Sequence, residues 1–193
     1  GKYYKTKRSK GYNVEVAKNL YLRTDYQDSI QKIIRESELL DRLRYRYSDF
    51  PYYILKKFIE KHYDKGLDEL VQTHFYQSLG ANYTMYNPNR KISNQHIVPT
   101  EVDDYYRYQK IQGYVHDMGA AMQNGIGGHA GIFSNANDVA KIMQMYLQKG
   151  FYGGKRYLSP NTIDKFNTCY YCEKDNRRGV GFDKPQLDEE GPT

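Results

Sequence analysis

The sequence predicts a mainly α-helical protein with a few short strands. Three observations carry that prediction. Apolar residues recur at helical spacing in four separate stretches. Proline and glycine stand where those stretches begin and end. Segments of strand character are few and short, whereas a stable sheet needs enough strands to protect its own edges.

The elements follow in order. Residues 1–27 read as a basic, polar arm, with five bases and no acid in the first ten positions (Lys2, Lys5, Lys7, Arg8, Lys10). Helical spacing begins at Asp28, with Ile30, Ile33 and Ile34 on one face and Asp28 or Ser29 as the cap. A second helix follows Pro51. Its stripe is Ile54, Leu55, Phe58, Ile59 and His62, and Ser48 or Asp49 can cap it. The third shows Leu67, Leu70, Val71, His74 and Phe75 and stops near Gly80. The histidines of these two faces, His62 and His74, read as core or edge residues rather than metal ligands.

Residues 81–113 read as a long irregular connection, a length that usually serves function or a larger assembly. Glycines at 125, 127, 128 and 131 then surround a short apolar segment, Ile132-Phe133. A helix after Ser134 should bury Val139, Ile142, Met143, Tyr146 and Leu147. Ser159-Pro160 opens one more helix, as cap and first helical residue. "RRGVGF" has the character of a short strand, and residues 184–193 form a polar tail.

Composition narrows the function classes. The chain has 193 residues, 22 of them tyrosine, no tryptophan, and a mean hydropathy of -0.90. Tyrosine buries a ring while its hydroxyl stays hydrogen-bonded, so a core with polar edges is expected. No run approaches the roughly 20 apolar residues of a membrane-spanning helix. The net charge of +6 sits over interleaved acids and bases, and no nucleic-acid motif accompanies it. No nucleic-acid partner is therefore expected.

Cys169 and Cys172 are the only cysteines. A zinc site needs two more ligands nearby, and a redox motif needs a βαβ setting. Neither is readable, which leaves a local disulfide or two plain thiols.

Three local patterns bear on chemistry. Tyr47-Ser48-Asp49 stands at the mouth of the second helix, as a cap or as a site. Ser29-Ile30-Gln31-Lys32 is a Ser-x-x-Lys string, only 18 residues before Tyr47. Eight serines in a lysine-rich chain produce such a string by chance, and Ser29 also reads as a cap. His116-Asp117 is an adjacent pair whose side chains point apart, so Asp117 reads as a helix cap.

The order of five segments then resembles a known family. "YSDFPYYILKKFIEK", "LVQTHFYQSLG", "VHDMGAAMQNGIGGHAGIFSNANDVAKIMQMYL", "YGGKRYLSPNTID" and "RGVGFDKP" are similar to successive pieces of serine β-lactamases and penicillin-binding-protein-like hydrolases of the class C and esterase type. The resemblance runs from about Leu39 to Asp183. It implies a partial domain over residues 28–183, the helical part of the β-lactamase/transpeptidase-like α+β fold with the main sheet largely missing.

The resemblance also implies a mechanism. Such enzymes acylate a serine in Ser-x-x-Lys, use the tyrosine of Tyr-x-Asn for proton transfer, and bind the substrate carboxylate along a Lys/His-x-Gly strand. Tyr47 would be the catalytic acid and base, and Asp49 would replace the family's Asn. An ionised Asp cannot donate a hydrogen bond to a substrate carbonyl but holds a lysine more firmly. His129-Ala130-Gly131 mimics the third motif, yet its place before "IFS" matches the family's glycine-rich turn. The nucleophile and carboxylate-binding motifs are thus expected outside this chain, which alone should be inactive and should expose apolar surface that drives self-association. No metal or organic cofactor is implied. The substrate would be a small molecule or peptide bearing an ester, amide or β-lactam. The alternative is a non-catalytic relative that binds cell-wall peptides or glycans. An extracytoplasmic setting is expected for the parent.

Overall fold

The computed structural model describes residues 1–39, 45–174 and 176–185. The first 27 residues are not an arm. Strands β1 (Tyr4–Lys5), β2 (Tyr12–Ala17) and β3 (Leu20–Arg23) form an antiparallel sheet in the order β1-β3-β2. Val14 and Val16 alternate on β2 and are buried with Leu22 of β3. The surrounding bases hide this period of two in the sequence, because they ring the sheet without entering its inner face. Leu22 is fully buried, which stabilises the fold by about 1.5–3 kcal/mol relative to exposure.

Helix α1 (Tyr26–Glu36) starts one turn earlier than Ser29 would allow. Asp25 takes the cap position, with its carboxylate ion-paired to Arg23. Ile30 is buried as expected. Helix α2 (Phe50–Tyr63) has Pro51 in its first turn, also as expected, but none of its residues is buried. Helix α3 (Leu67–Val71) passes into a π-helical turn, Gln72–Tyr76. His62 and His74 are both exposed, which corrects their assignment to core or edge.

The long connection is held by short strand pairs and, at its end, by Arg107. Strand β4 (Met85–Tyr86) pairs later with β7 (Ile132–Phe133), and β5 (Glu101–Asp103) forms a hairpin with β6 (Gln109–Ile111). The Arg107 side chain is 0% exposed and donates to Asp103 at 2.7 Å and to the carbonyls of Val115 and His116 at 2.7 and 2.9 Å. A buried guanidinium with its donors met is stable, and the contacts fix the chain just ahead of Asp117.

Helix α4 (Met118–Met122) packs on β2, and Ala120 and Ala121 complete the core of Val14, Val16, Leu22 and Val115. A second core gathers Leu79, Ala81 and Met145. Met145 lies on α5 (Ala136–Leu147), where Ile142 and Tyr146 pack on this core as expected but the rest of the buried face is rotated. Asp138 and Met145 are buried, while Val139, Met143 and Leu147 are exposed. The reason is local. Asp138 accepts from the Tyr83 backbone N–H at 2.7 Å and from Lys141 at 3.0 Å, and these bonds turn the polar side inward.

The hairpin of β8 (Phe151–Tyr152) and β9 (Lys155–Arg156) leads to α6 (Pro160–Asn167), capped by Ser159 as predicted. Cys169 and Cys172 form a disulfide. "RRGVGF" is not a strand. Val180 donates to the Phe166 carbonyl at 2.8 Å, so this segment docks across the end of α6. Of the predicted polar tail, residues 186–193 lie outside the described residues. No described helix is long and apolar enough to cross a membrane.

Candidate active site

Asp49 bears on both readings of Tyr47-Ser48-Asp49. It occupies the cap position of α2, yet its side chain makes no capping bond. Ser48 meets the free N–H of Phe50 instead, at 3.2 Å. The neighbouring Asp49 carboxylate raises the Tyr47 phenol above the ordinary tyrosine pKa, through its attraction for the phenolic proton and its charge, although the two make no hydrogen bond of normal length. Tyr47 is 66% exposed, so its ring is open to a partner in solution. The Arg178 guanidinium lies 5.7 Å from that ring and acts in the opposite direction.

Two further residues close on this pair. Asp117 caps α4, accepting from the Ala120 N–H at 2.6 Å. The same oxygen sits 2.9 Å from His129 Nε2. Burial pushes the Asp117 carboxyl up, but the Ala120 N–H and His129 outweigh it and the net shift is down. Asp49, Asp117 and His129 bring their polar atoms within 4.8 Å of one another. Tyr53, one turn along α2, stacks on the His129 ring with centroids 4.9 Å apart. Its own phenol is pushed up to about 12, by burial and then by the charges of Asp117 and Asp49.

Glycine permits this closeness at two points. A Cβ on Gly119 would fall 1.8 Å from the Tyr53 hydroxyl. One on Gly128 would fall 2.7 Å from the Tyr52 carbonyl, where the glycine-rich turn meets α2. Any side chain there would push the turn, and His129 with it, away from the helix. Beside the turn lies a pocket of about 510 Å³, lined by Asp117, His129, Tyr86 and the backbone of Gly127, Gly128 and Gly131.

The histidine's environment sets its proton. His129 Nδ1 is buried without a hydrogen-bond partner among the described residues. A proton there would be orphaned, so the ring carries it on Nε2 and donates to Asp117. This bears on metal binding. Asp49, Asp117 and His129 have the spacing of a divalent-ion site. Coordination through Nε2 would move the proton to Nδ1, where the supporting acceptor usual for ligand histidines is missing among the described residues. The donor set fits a metal poorly.

The other sequence candidates lie elsewhere. Ser29 is exposed in the first turn of α1, and Lys32 reaches towards Glu36 at 3.9 Å. His116 is 70% exposed and meets Glu101 at 3.0 Å, away from Asp117. Asp117 caps α4 as the sequence indicated, and its histidine neighbour is His129, across the glycine-rich turn, rather than His116. The combination of an Asp cap and a histidine flanked by glycines was the available signal.

The Beta-lactamase family matches residues 10–185. The chain belongs to the Beta-lactamase family. A "Putative D-alanyl-D-alanine carboxypeptidase" of Escherichia coli O157:H7 is 34% identical over 148 residues, covering 70% of this chain and 34% of that protein. An N-acetylmuramyl-L-alanine amidase of Bacillus subtilis (strain 168) is 32% identical over 178 residues, 86% of this chain and 36% of the relative. The chain thus spans about a third of the length of the curated relatives it matches. Among solved structures, the octameric penicillin-binding protein homologue from Pyrococcus abyssi superposes with a TM-score of 0.52 at 18% identity, over 75% of this chain and 30% of that one. That likeness supports a partial β-lactamase-like fold, helical with small sheets. The family and these relatives make the chain a serine-hydrolase relative.

Proposed function

We propose that this chain supplies the tyrosine element of a β-lactamase-type serine hydrolase that works outside the cytoplasm. Tyr47 is the proton shuttle, and Asp49 seats the ammonium of the nucleophile motif's lysine. The observation that carries this reading is the Asp49 carboxylate, which makes no capping bond at the mouth of α2 and gathers with Asp117 and His129 in one polar cluster next to Tyr47. A phenol held above its ordinary pKa is a poor base by itself. A lysine ammonium between Asp49 and Tyr47 reverses the sign, because a positive charge favours the phenolate. The chain without that lysine is therefore inactive. The disulfide suits an oxidising compartment.

The substrate is an ester, amide or peptide bond more than a β-lactam, since an ionised Asp49 offers no donor to a substrate carbonyl. The raised Tyr47 pKa also favours a second reading, a non-catalytic relative that binds cell-wall peptides or glycans.

Intact mass after exposure to a fluorophosphonate and to a penicillin separates the two. This chain and a chain extended to the length of its relatives are compared. A stable adduct on the longer chain only, formed at least 100-fold more slowly after Tyr47→Phe, supports the hydrolase. The figure is the lower end of the roughly 10²–10⁴-fold scale of acid–base catalysis. An adduct on the short chain places the nucleophile within it, and no adduct on either supports the binding relative.

A further inference from the structure

A second cleft lies on the far side of Tyr53. Its volume of about 560 Å³ is within the range of small-molecule sites, roughly 300–1,000 Å³. It opens between β2, α1, α2 and the end of α4, and its chemistry differs from that of the glycine-rich pocket. Arg8, Lys56 and Lys57 bring three positive charges to it, against Asp28 and Glu60.

These cations lack full partners. Lys56 has only 12% of its side chain exposed, and its nearest carboxylate oxygen, on Glu60, is 3.8 Å away. That is too long for a hydrogen bond. The same Glu60 oxygen already accepts from the Leu67 N–H at 3.0 Å. Burial lowers the Lys56 pKa, and the charges of Glu60 and Asp68 only partly offset it. A half-buried ammonium whose ion-pair partner stays beyond hydrogen-bond distance can donate to a carboxylate oxygen of an incoming anion. Arg8 and Lys57 are exposed and form no ion pair among the described residues.

The remaining lining is rich in amides. Asn13, Gln27, Gln31, Gln123 and Asn124 all face the cleft. Each planar amide offers a donor beside an acceptor, the pattern that adjacent hydroxyls match. Gln27 and Gln123 spend their N–H groups on the carbonyls of Met122 and Gly119, which leaves their oxygens free to accept. The Tyr53 ring adds an aromatic wall, since only one of its faces is taken by His129.

We infer that this cleft binds an acidic sugar, a pyranose bearing a carboxylate, with Lys56 on the carboxylate and the amides of Gln31 and Asn124 on the hydroxyls. One aromatic ring separates the cleft from the Asp49–Asp117–His129 cluster, so a substrate can place its sugar here and its scissile bond beside Tyr47. That last assignment rests on the hydrolase reading; the binding itself does not.

The test is calorimetric titration of this chain with glucuronate, its methyl ester, glucose and acetate. Glucuronate is expected to bind at least tenfold more tightly than the other three. Lys56→Met and Gln31→Ala should each weaken it at least fivefold with an unchanged circular dichroism spectrum. Binding of acetate or glucose as tight as that of glucuronate overturns the inference. So does no binding by the folded chain, or unchanged affinity in both variants. Failure of the longer chain to acylate leaves the titration result standing, which keeps the two readings separable.

Discussion

The N-terminal sheet and helix α2 invert what their sequences suggest. The sheet comes from a stretch crowded with lysines, yet Val14, Val16 and Leu22 bury themselves fully against α4. Helix α2 comes from an apolar stripe, yet Ile54, Leu55 and Phe58 are 53%, 51% and 65% exposed. Apolar spacing therefore dictates an element's type but not its partner. The sheet finds α4 within the chain, whereas the α2 stripe faces no cover among the described residues. The exposed Val139, Met143 and Leu147 of α5 repeat the pattern. We propose that this uncovered apolar face drives self-association.

This difference breaks most visibly under core truncation. Leu22→Ala should cost about 2–5 kcal/mol in urea unfolding, because the site is fully packed. A loss under 1 kcal/mol would mean that the sheet is not part of the cooperative core.

Acid should act next, and on the same side. The Asp103 carboxyl sits at about 2, where burial raises it but hydrogen bonds from Arg107 and the backbone N–H groups of Tyr106, Arg107 and Tyr105 bring it down. A carboxyl depressed on folding adds stability that is present above its unfolded pKa of roughly 3.9 and lost as pH falls through its folded value. Melting temperatures should hold from neutrality to about pH 4 and drop towards pH 2. Asp103→Asn should flatten that drop and be less stable at neutral pH.

The smallest effect on stability belongs to α2. Phe58→Ser should change it by no more than about 0.5 kcal/mol, as for an exposed site. It should also reduce self-association in sedimentation velocity. A cost above 2 kcal/mol would place Phe58 in a core of this chain.

Much of the fold was legible in the sequence. Pro51, Ser159-Pro160 and the stripes of α1, α2 and α5 set the helices, because caps and period 3.6 are local signals. The N-terminal sheet was not legible, since its alternation covers few residues and is flanked by charge. Part of the inward face of α5 was missed because Asp138 gains two bonds from residues outside the apolar pattern. At the site, the sequence pointed to Tyr47 and Asp49 through family likeness. It did not show His129 reaching Asp117, a contact across 12 residues made by the glycine-rich turn.

The most direct measurement is an NMR titration of the Tyr47 phenol in this chain, with and without Asp49→Asn. The account predicts a pKa above the ordinary value of about 10 in the unsubstituted chain and a fall towards it in the variant. An ordinary value in both would show that the Asp49 carboxylate does not act on the Tyr47 phenol, and the site built on their proximity would fail.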